Sequence, residues 1–279
     1  MLLVRTLMPV DEKRSRLAFQ KLNRQLSKLS RKPAPVTVHR FRTSGRRVEA
    51  LLYALVPHPT RNDRKLLELL ARLRKKAGRV RDLDVQIAAV RNLKIPQEPQ
   101  DKSALIHELT EERVGREKKL ARAFDKDTLR ELRRRLKKAA LEEIPGTANP
   151  LVIAMRQLEA LARDRAPLTE KTLHRYRVVG KRARYLAELA ADNPESGRII
   201  ELLKRMQDVL GDWHDWLKLT EKAEALLGTV PENPLVSALH TITRAKFRKA
   251  IDVLAETRIA LSAPKPAAGE TSVRRSAAA

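Results

Sequence analysis

Two stretches of this chain carry the same set of ionisable side chains at the same spacing. From Val38 the sequence reads V-H-R-F-R-T-S-G-R-R-V-E-A-L-L-Y-A-L-V, and from Leu173 it reads L-H-R-Y-R-V-V-G-K-R-A-R-Y-L-A-E-L-A. Aligning His39 with His174 also aligns Arg42 with Arg177, Gly45 with Gly180 and Arg46 with Lys181. Wound as a helix at about 100° per residue, each copy gathers its histidine and two cations within about 60° of one another. Phe41, Val48, Leu52 and Leu55 fall on the other side, as do Tyr176, Ala183, Ala187 and Ala190. Each copy thus offers a packing face and a cationic stripe headed by a histidine. A single stripe of this kind is an ordinary solvated surface. Its repetition, histidine included, points to a ligand, because solvation does not require a particular imidazole. Arginine suits phosphate oxygens through forked hydrogen bonds, lysine contributes a point charge, and histidine adds sensitivity to pH.

The elements that must hold these stripes are helices. Ala, Leu, Arg, Lys and Glu dominate, and alternation with a period of two is rare, so the chain is expected to be all-α. A first helix is predicted over Asp11–Leu29, a second over the first stripe, and a third over Asn62–Ala77 with Leu66, Leu69, Leu70 and Leu73 inward. Gly78 is expected to stop that third helix. Asp82 and Asp84 then lie near the start of a short helix, where carboxylates favour the positive end of the dipole. Two charged helices, about 102–124 and 127–142, are expected to form an antiparallel pair.

The second half replays the first. Ile199, Leu202, Leu203 and Met206 repeat the leucine spacing of the third helix, Gly211 repeats Gly78, and D-W-H-D-W-L repeats R-V-R-D-L-D. That last match sets His214 on Arg81 and Asp215 on Asp82, while Arg198 and Arg205 fall on Lys65 and Arg72. The pattern predicts an internal duplication: two antiparallel helical bundles related by a pseudo-twofold axis, about 11–143 and 150–262, with a boundary at the Pro- and Gly-rich 144–150. Residues 263–279 read as a disordered basic, Ala- and Pro-rich tail. If the two striped helices face each other, their cations form one groove.

Composition narrows what that groove could hold. Against 34 Asp and Glu stand 59 Lys and Arg, a net charge of +25, and a compact chain so charged calls for a polyanionic partner. The few aromatics sit at core spacing, which argues against stacking on bases. Cysteine is absent, removing thiol chemistry and disulfides. No apolar run approaches the ~18 residues a membrane helix needs, and no signal peptide is evident, so a cytoplasmic protein without membrane insertion is expected. Gly180-Lys181 is followed by Arg182 rather than Ser or Thr, there is no H-E-x-x-H, and the histidines lack metal-ligand spacing. Neither catalysis nor a metal or other cofactor is expected.

The paired H-R-F-R-T-S-G-R-R and H-R-Y-R-V-V-G-K-R, with R-D-L-D and H-D at matching places, resemble the conserved histidine α-helical (CHAD) domain over about residues 11–261. The resemblance implies two pseudo-symmetric helical halves around a basic surface that binds inorganic polyphosphate, and association with polyphosphate granules. By position, the anion-binding residues it implies are His39, Arg42, Arg46, His174, Arg177 and Lys181, then Arg72 and Arg205. Lys65, Lys76, Arg81, Arg198 and His214 form a second rank. Asp82 and Asp215 read first as helix caps and ties between the bundles, and alternatively as carboxylates that aim a cation into the groove. The basic run Arg130–Lys138 reads as a solvated outer face that steers anions. Nucleic acid bound through the same surface is the competing reading.

Overall fold

The computed structural model of the chain describes residues 11–29, 34–94, 99–140, 149–163, 166–190, 194–229 and 233–262. Among them run nine α-helices: α1 (Glu12–Leu29), α2 (Pro35–Leu55), α3 (Arg61–Asn92), α4 (Pro99–Ala123), α5 (Lys126–Ala139), α6 (Pro150–Ala162), α7 (Glu170–Ala187), α8 (Pro194–Leu227) and α9 (Pro234–Ser262). The all-α expectation holds. The boundary at 144–148 and the tail at 263–279 lie outside the described residues.

Helix starts follow local chemistry. Asp11 accepts the backbone N–H of Arg14 at 3.2 Å, and Thr60 and Asp63 form a reciprocal capping box at the head of α3. Proline, whose missing N–H costs nothing in a first turn, opens α2, α4, α6, α8 and α9.

Two expectations are corrected. Gly78 does not stop α3, nor Gly211 α8: both helices continue unbroken for 32 and 34 residues. Stopping at glycine needs a left-handed turn, and the only described glycine with positive φ is Gly228. Beyond Gly78, Val80, Leu83, Ile87 and Val90 keep helical spacing and are buried. Their burial outweighs the ~1 kcal/mol that an interior glycine costs. Asp82 and Asp84 therefore lie within a helix, far from its positive end.

The second correction concerns α4 and α5, which do not pair with each other. Both lie along α3 in one antiparallel register: Lys102 Nζ donates to Leu93 O at 2.7 Å, Arg113 Nε to Asp84 Oδ1 at 2.6 Å, and Asn62 Nδ2 to Arg135 O at 3.2 Å. Asp125 breaks the arm by capping α5 through the Thr128 N–H. In the second half α9 runs back along α8 in the same sense, through Lys246–Asp212 (2.7 Å) and Arg205–Glu256 (2.6 Å).

One hydrophobic core runs through both halves, from Leu22, Phe41 and Leu70 to Tyr176, Leu203 and Trp213. A smaller cluster joins the far ends of α3, α4, α8 and α9. Polar clasps reinforce the junction: the Asp11 N–H donates to Leu189 O at 3.2 Å, and Arg47 pairs with Glu188 at 2.7 Å. Within the core the Tyr176 hydroxyl donates to Leu161 O and accepts from Arg258 Nε at 2.6 Å. Tyr176→Phe strands a buried carbonyl and a guanidinium donor together. It is expected to cost about 1–3 kcal/mol of stability, read by chemical denaturation; a loss below about 0.3 kcal/mol would show that water replaces the hydroxyl.

Candidate functional site

Burial of the apolar faces decides where the stripes point. Phe41, Val48, Leu52 and Leu55 are all buried, as are Tyr176, Ala183, Ala187 and Ala190, so the cations on the opposite sides of α2 and α7 must look away from the core. Because α2 packs on α7 and α3 on α8, the stripes converge over a floor made by the two long helices.

At the centre Arg42 reaches down to α3. Its Nη1 donates to Gly78 O at 3.1 Å and to Asp82 Oδ1 at 3.0 Å. Arg177, its counterpart on α7, is attracted by Asp215 and Asp82 and repelled by the like charge of Arg42. The Arg177 Nε is buried without a hydrogen-bond partner among the described residues. Burial, more than any neighbour, makes it harder to keep Arg177 charged.

Next along the stripes come Arg46 and Lys181. Burial pushes the Arg46 pKa down and Arg74 adds to this, while Tyr185 and Glu49 oppose it. Lys181 is the most perturbed group. Burial, then repulsion from Arg177, Arg46 and Arg42, lowers its pKa to about 7, with Asp215 pulling only weakly the other way. Four cations from two helices thus crowd one half-buried place, short of carboxylates to balance them.

The histidines mark the other end. His39, exposed, is held below its ordinary range by burial of part of its ring and then by Arg81, Arg42 and Arg40. His174 is lowered by burial and then by His214, Arg177, Lys181 and Lys218. Its ring lies 5.9 Å from that of His214. Each histidine therefore stands beside the matching residue of its own long helix, Arg81 on α3 and His214 on α8.

The structure brings together His39, Arg42, Arg46, His174, Arg177 and Lys181, with Arg81 and His214 alongside. It does not join the remaining predicted residues to them. Arg205 is exposed and pairs with Glu256 of α9, and Arg198 pairs with Glu195 at 3.4 Å. Arg72 is exposed and acts on Asp125. Lys65 and Lys76 have no ion-pair partner among the described residues. Helical geometry is the reason. Arg205 lies about 160° round α8 from Gln207, the side chain that reaches Gly180 O on α7 at 2.8 Å. Arg72 lies about 160° round α3 from Arg74, which reaches Glu49 on α2 at 2.9 Å.

The reading of Asp82 as a helix cap is corrected, and that of Asp215 with it: neither is at a helix start, and both act on the groove cations. Their places in the repeat, each directly after Arg81 or His214, were the available signal. Glu49, Arg74 and Lys218 carry no motif that marks them in the sequence. Among the described residues no group of three His, Asp or Glu side chains is placed to hold a metal ion, and no helix is long and apolar enough to cross a membrane.

No curated protein matches the chain. Solved structures share its fold, among them the following two. The crystal structure of the CHAD domain from the plant Ricinus communis superposes with a TM-score of 0.69 at 17% identity, covering 95% of this chain and 96% of that one. PptA from Streptomyces chartreusis superposes with a TM-score of 0.70 at 16% identity, covering 89% and 99%. The sequence profile of the CHAD domain matches residues 14–224, from α1 through most of α8. The chain is a member of the CHAD domain family.

Proposed function

We propose that this protein binds inorganic polyphosphate in the groove between α2 and α7, and that its two halves descend from a duplicated helical unit. The observation that carries this reading is the convergence of Arg42, Arg46, Arg177 and Lys181 from two helices. Crowding like charges in a half-buried place costs free energy, which an anion arriving from outside recovers. Polyphosphate carries roughly one charge per unit in single file, so successive units can meet successive cations. Arg42 and Arg177 supply forked donors, Asp82 keeps the Arg42 fork oriented while Asp215 acts on Arg177 through its charge, and the histidines gain charge as phosphate approaches.

Nucleic acid is the weaker reading. Among the described residues Tyr53, 62% exposed and on the same side of α2 as His39, Arg42 and Arg46, is the one large aromatic on the exposed surface, so bases find a single stacking platform beside the cations rather than the series that a bound strand of nucleic acid uses. Binding without turnover, at polyphosphate granules in the cytoplasm, belongs to the same proposal; orthophosphate release by the purified chain with Mg²⁺ would count against it.

Titration calorimetry with polyphosphate of defined length tests the reading. By analogy with nucleic acid, affinity is expected to fall steeply between about 50 and about 200 mM salt as released counterions regain their entropy. His39→Ala with His174→Ala is expected to weaken binding about tenfold below pH 6 and little above pH 8. Polyphosphate should displace RNA far more readily than RNA displaces polyphosphate. An affinity indifferent to salt, or RNA as the stronger competitor, would refute it.

A further inference from the structure

The groove does not account for the chain's charge. Its four central cations face two aspartates, whereas the whole protein carries +25. The densest part of the surplus is on α5, K-D-T-L-R-E-L-R-R-R-L-K-K-A, with seven cations against two carboxylates in 14 residues. Leu129, Leu132, Leu136 and Ala139 are its buried side, seated on α1 and α3. Arg130, Arg133, Arg134, Lys137 and Lys138 are consequently exposed.

Neighbouring α1 extends this face. Arg133 Nη2 donates to Ser27 Oγ at 3.1 Å, and Arg24 and Lys28, three residues before and one after Ser27, are exposed beside that contact. The carboxylates present are Asp127 and Glu131; Glu131 is also held by the mostly buried Arg135, whereas the pairs with Arg130 and Arg134 leave those cations 80% and 60% exposed. Pairs so open to water are worth little and yield readily to a stronger anion. The hydrophobic core separates this face from the groove: Phe41, on the side of α2 away from His39 and Arg42, meets Phe124 just ahead of α5 at 5.2 Å.

The surface lacks what other polyanions require. Among the described residues it presents no aromatic side chain for bases, and with the apolar side of α5 buried its one exposed large apolar side chain is Leu17 of α1, too little to enter a lipid headgroup layer. We propose that the outward face shared by α1 and α5 is a second docking surface for polyphosphate, making the protein bivalent and able to join two polyphosphate strands. This rests on the groove reading for its first site. Two sites on opposite sides of one core cannot be filled by a short strand, so bridging appears only with long polymer.

The test uses the full chain, light scattering with polyphosphate of several hundred units, and calorimetry with a short polymer of about ten units. The native protein is expected to scatter strongly near charge balance with the long polymer alone. Arg130→Gln, Arg133→Gln and Lys137→Gln, introduced together, keep helix propensity. This variant should hold short-polymer affinity within about twofold while scattering falls at least about fivefold. Arg42→Gln with Arg177→Gln should abolish scattering as well, because bridging needs both faces. A triple variant that scatters like the native protein overturns the proposal, as does a native protein that binds long polymer without scattering. Loss of short-polymer binding by the native protein would instead refute the groove reading.

Discussion

Removing both central guanidinium groups, Arg42→Ala with Arg177→Ala, is expected to lower affinity for polyphosphate by about 10²- to 10⁴-fold. Each arginine offers charge-assisted hydrogen bonds from a half-buried position, a class of interaction worth about 1.5–3 kcal/mol. Two such losses amount to roughly 3–6 kcal/mol, at a factor of ten per 1.4 kcal/mol. Asp82 and Asp215 add to the effect, since without their arginines they present bare charge to the incoming anion. The native fold should survive: Arg42 pairs with an Asp82 side chain that is 60% exposed, and the change relieves repulsion around Lys181. Calorimetry gives the affinity and thermal denaturation the control. A loss below tenfold with an intact fold would mean that the anion docks elsewhere.

The next largest effect should come from pH. In the free protein the Lys181 pKa lies at about 7, and those of His39 and His174 are held below the ordinary 6.5. A polyphosphate laid across the groove raises all three, because its negative charge favours the protonated forms. Binding therefore takes up protons between each free and bound pKa. For Lys181 that window opens near 7 and extends upward, and there affinity falls as pH rises by up to about tenfold per unit. For the histidines the window begins below 6.5; under it they are charged in both states and contribute no slope.

Stability of the free protein should move in the opposite sense. Above pH 7 the unfolded chain holds a proton on Lys181 that the folded chain has released, so this residue makes folding more favourable as pH climbs toward 10.5. Lys181→Arg, charged throughout, should flatten the binding slope above pH 7 while keeping affinity at pH 6. Dissociation constants across pH 6–9, with proton uptake from buffers of differing ionisation enthalpy, decide this. Affinity flat over that range would show Lys181 outside the site.

Much of this site can be read before any coordinates. A doubled pattern of His39, Arg42 and Arg46 with His174, Arg177 and Lys181 fixes which sides of two helices must turn from the core, because the residues opposite can only be buried. What escapes is whatever depends on a third element. Gly78 and Gly211 carry the usual mark of a helix end, and only the buried residues after them keep α3 and α8 going. With that continuity Asp82 and Asp215 move from the edge of a short helix to the floor of the groove. Arg72 and Arg205 share the repeat but stand on the far flanks of their helices, a distinction of angle that spacing shows only once the neighbour's position is known. The pairing expected of α4 and α5 failed for a similar reason: both are amphipathic, and α3 is long enough to seat them end to end.

That the two halves share a single core has a kinetic consequence. A cradle whose walls grow from one foundation cannot gape like jaws to let its cargo go. Under the proposed function, a bound polyphosphate must instead peel from a free end, one unit after another, and a unit that lifts off is easily recaptured by its neighbours' grip. Dwell time should accordingly lengthen with polymer length well after equilibrium affinity per unit has levelled off, turning the protein into a ruler that reads length through patience.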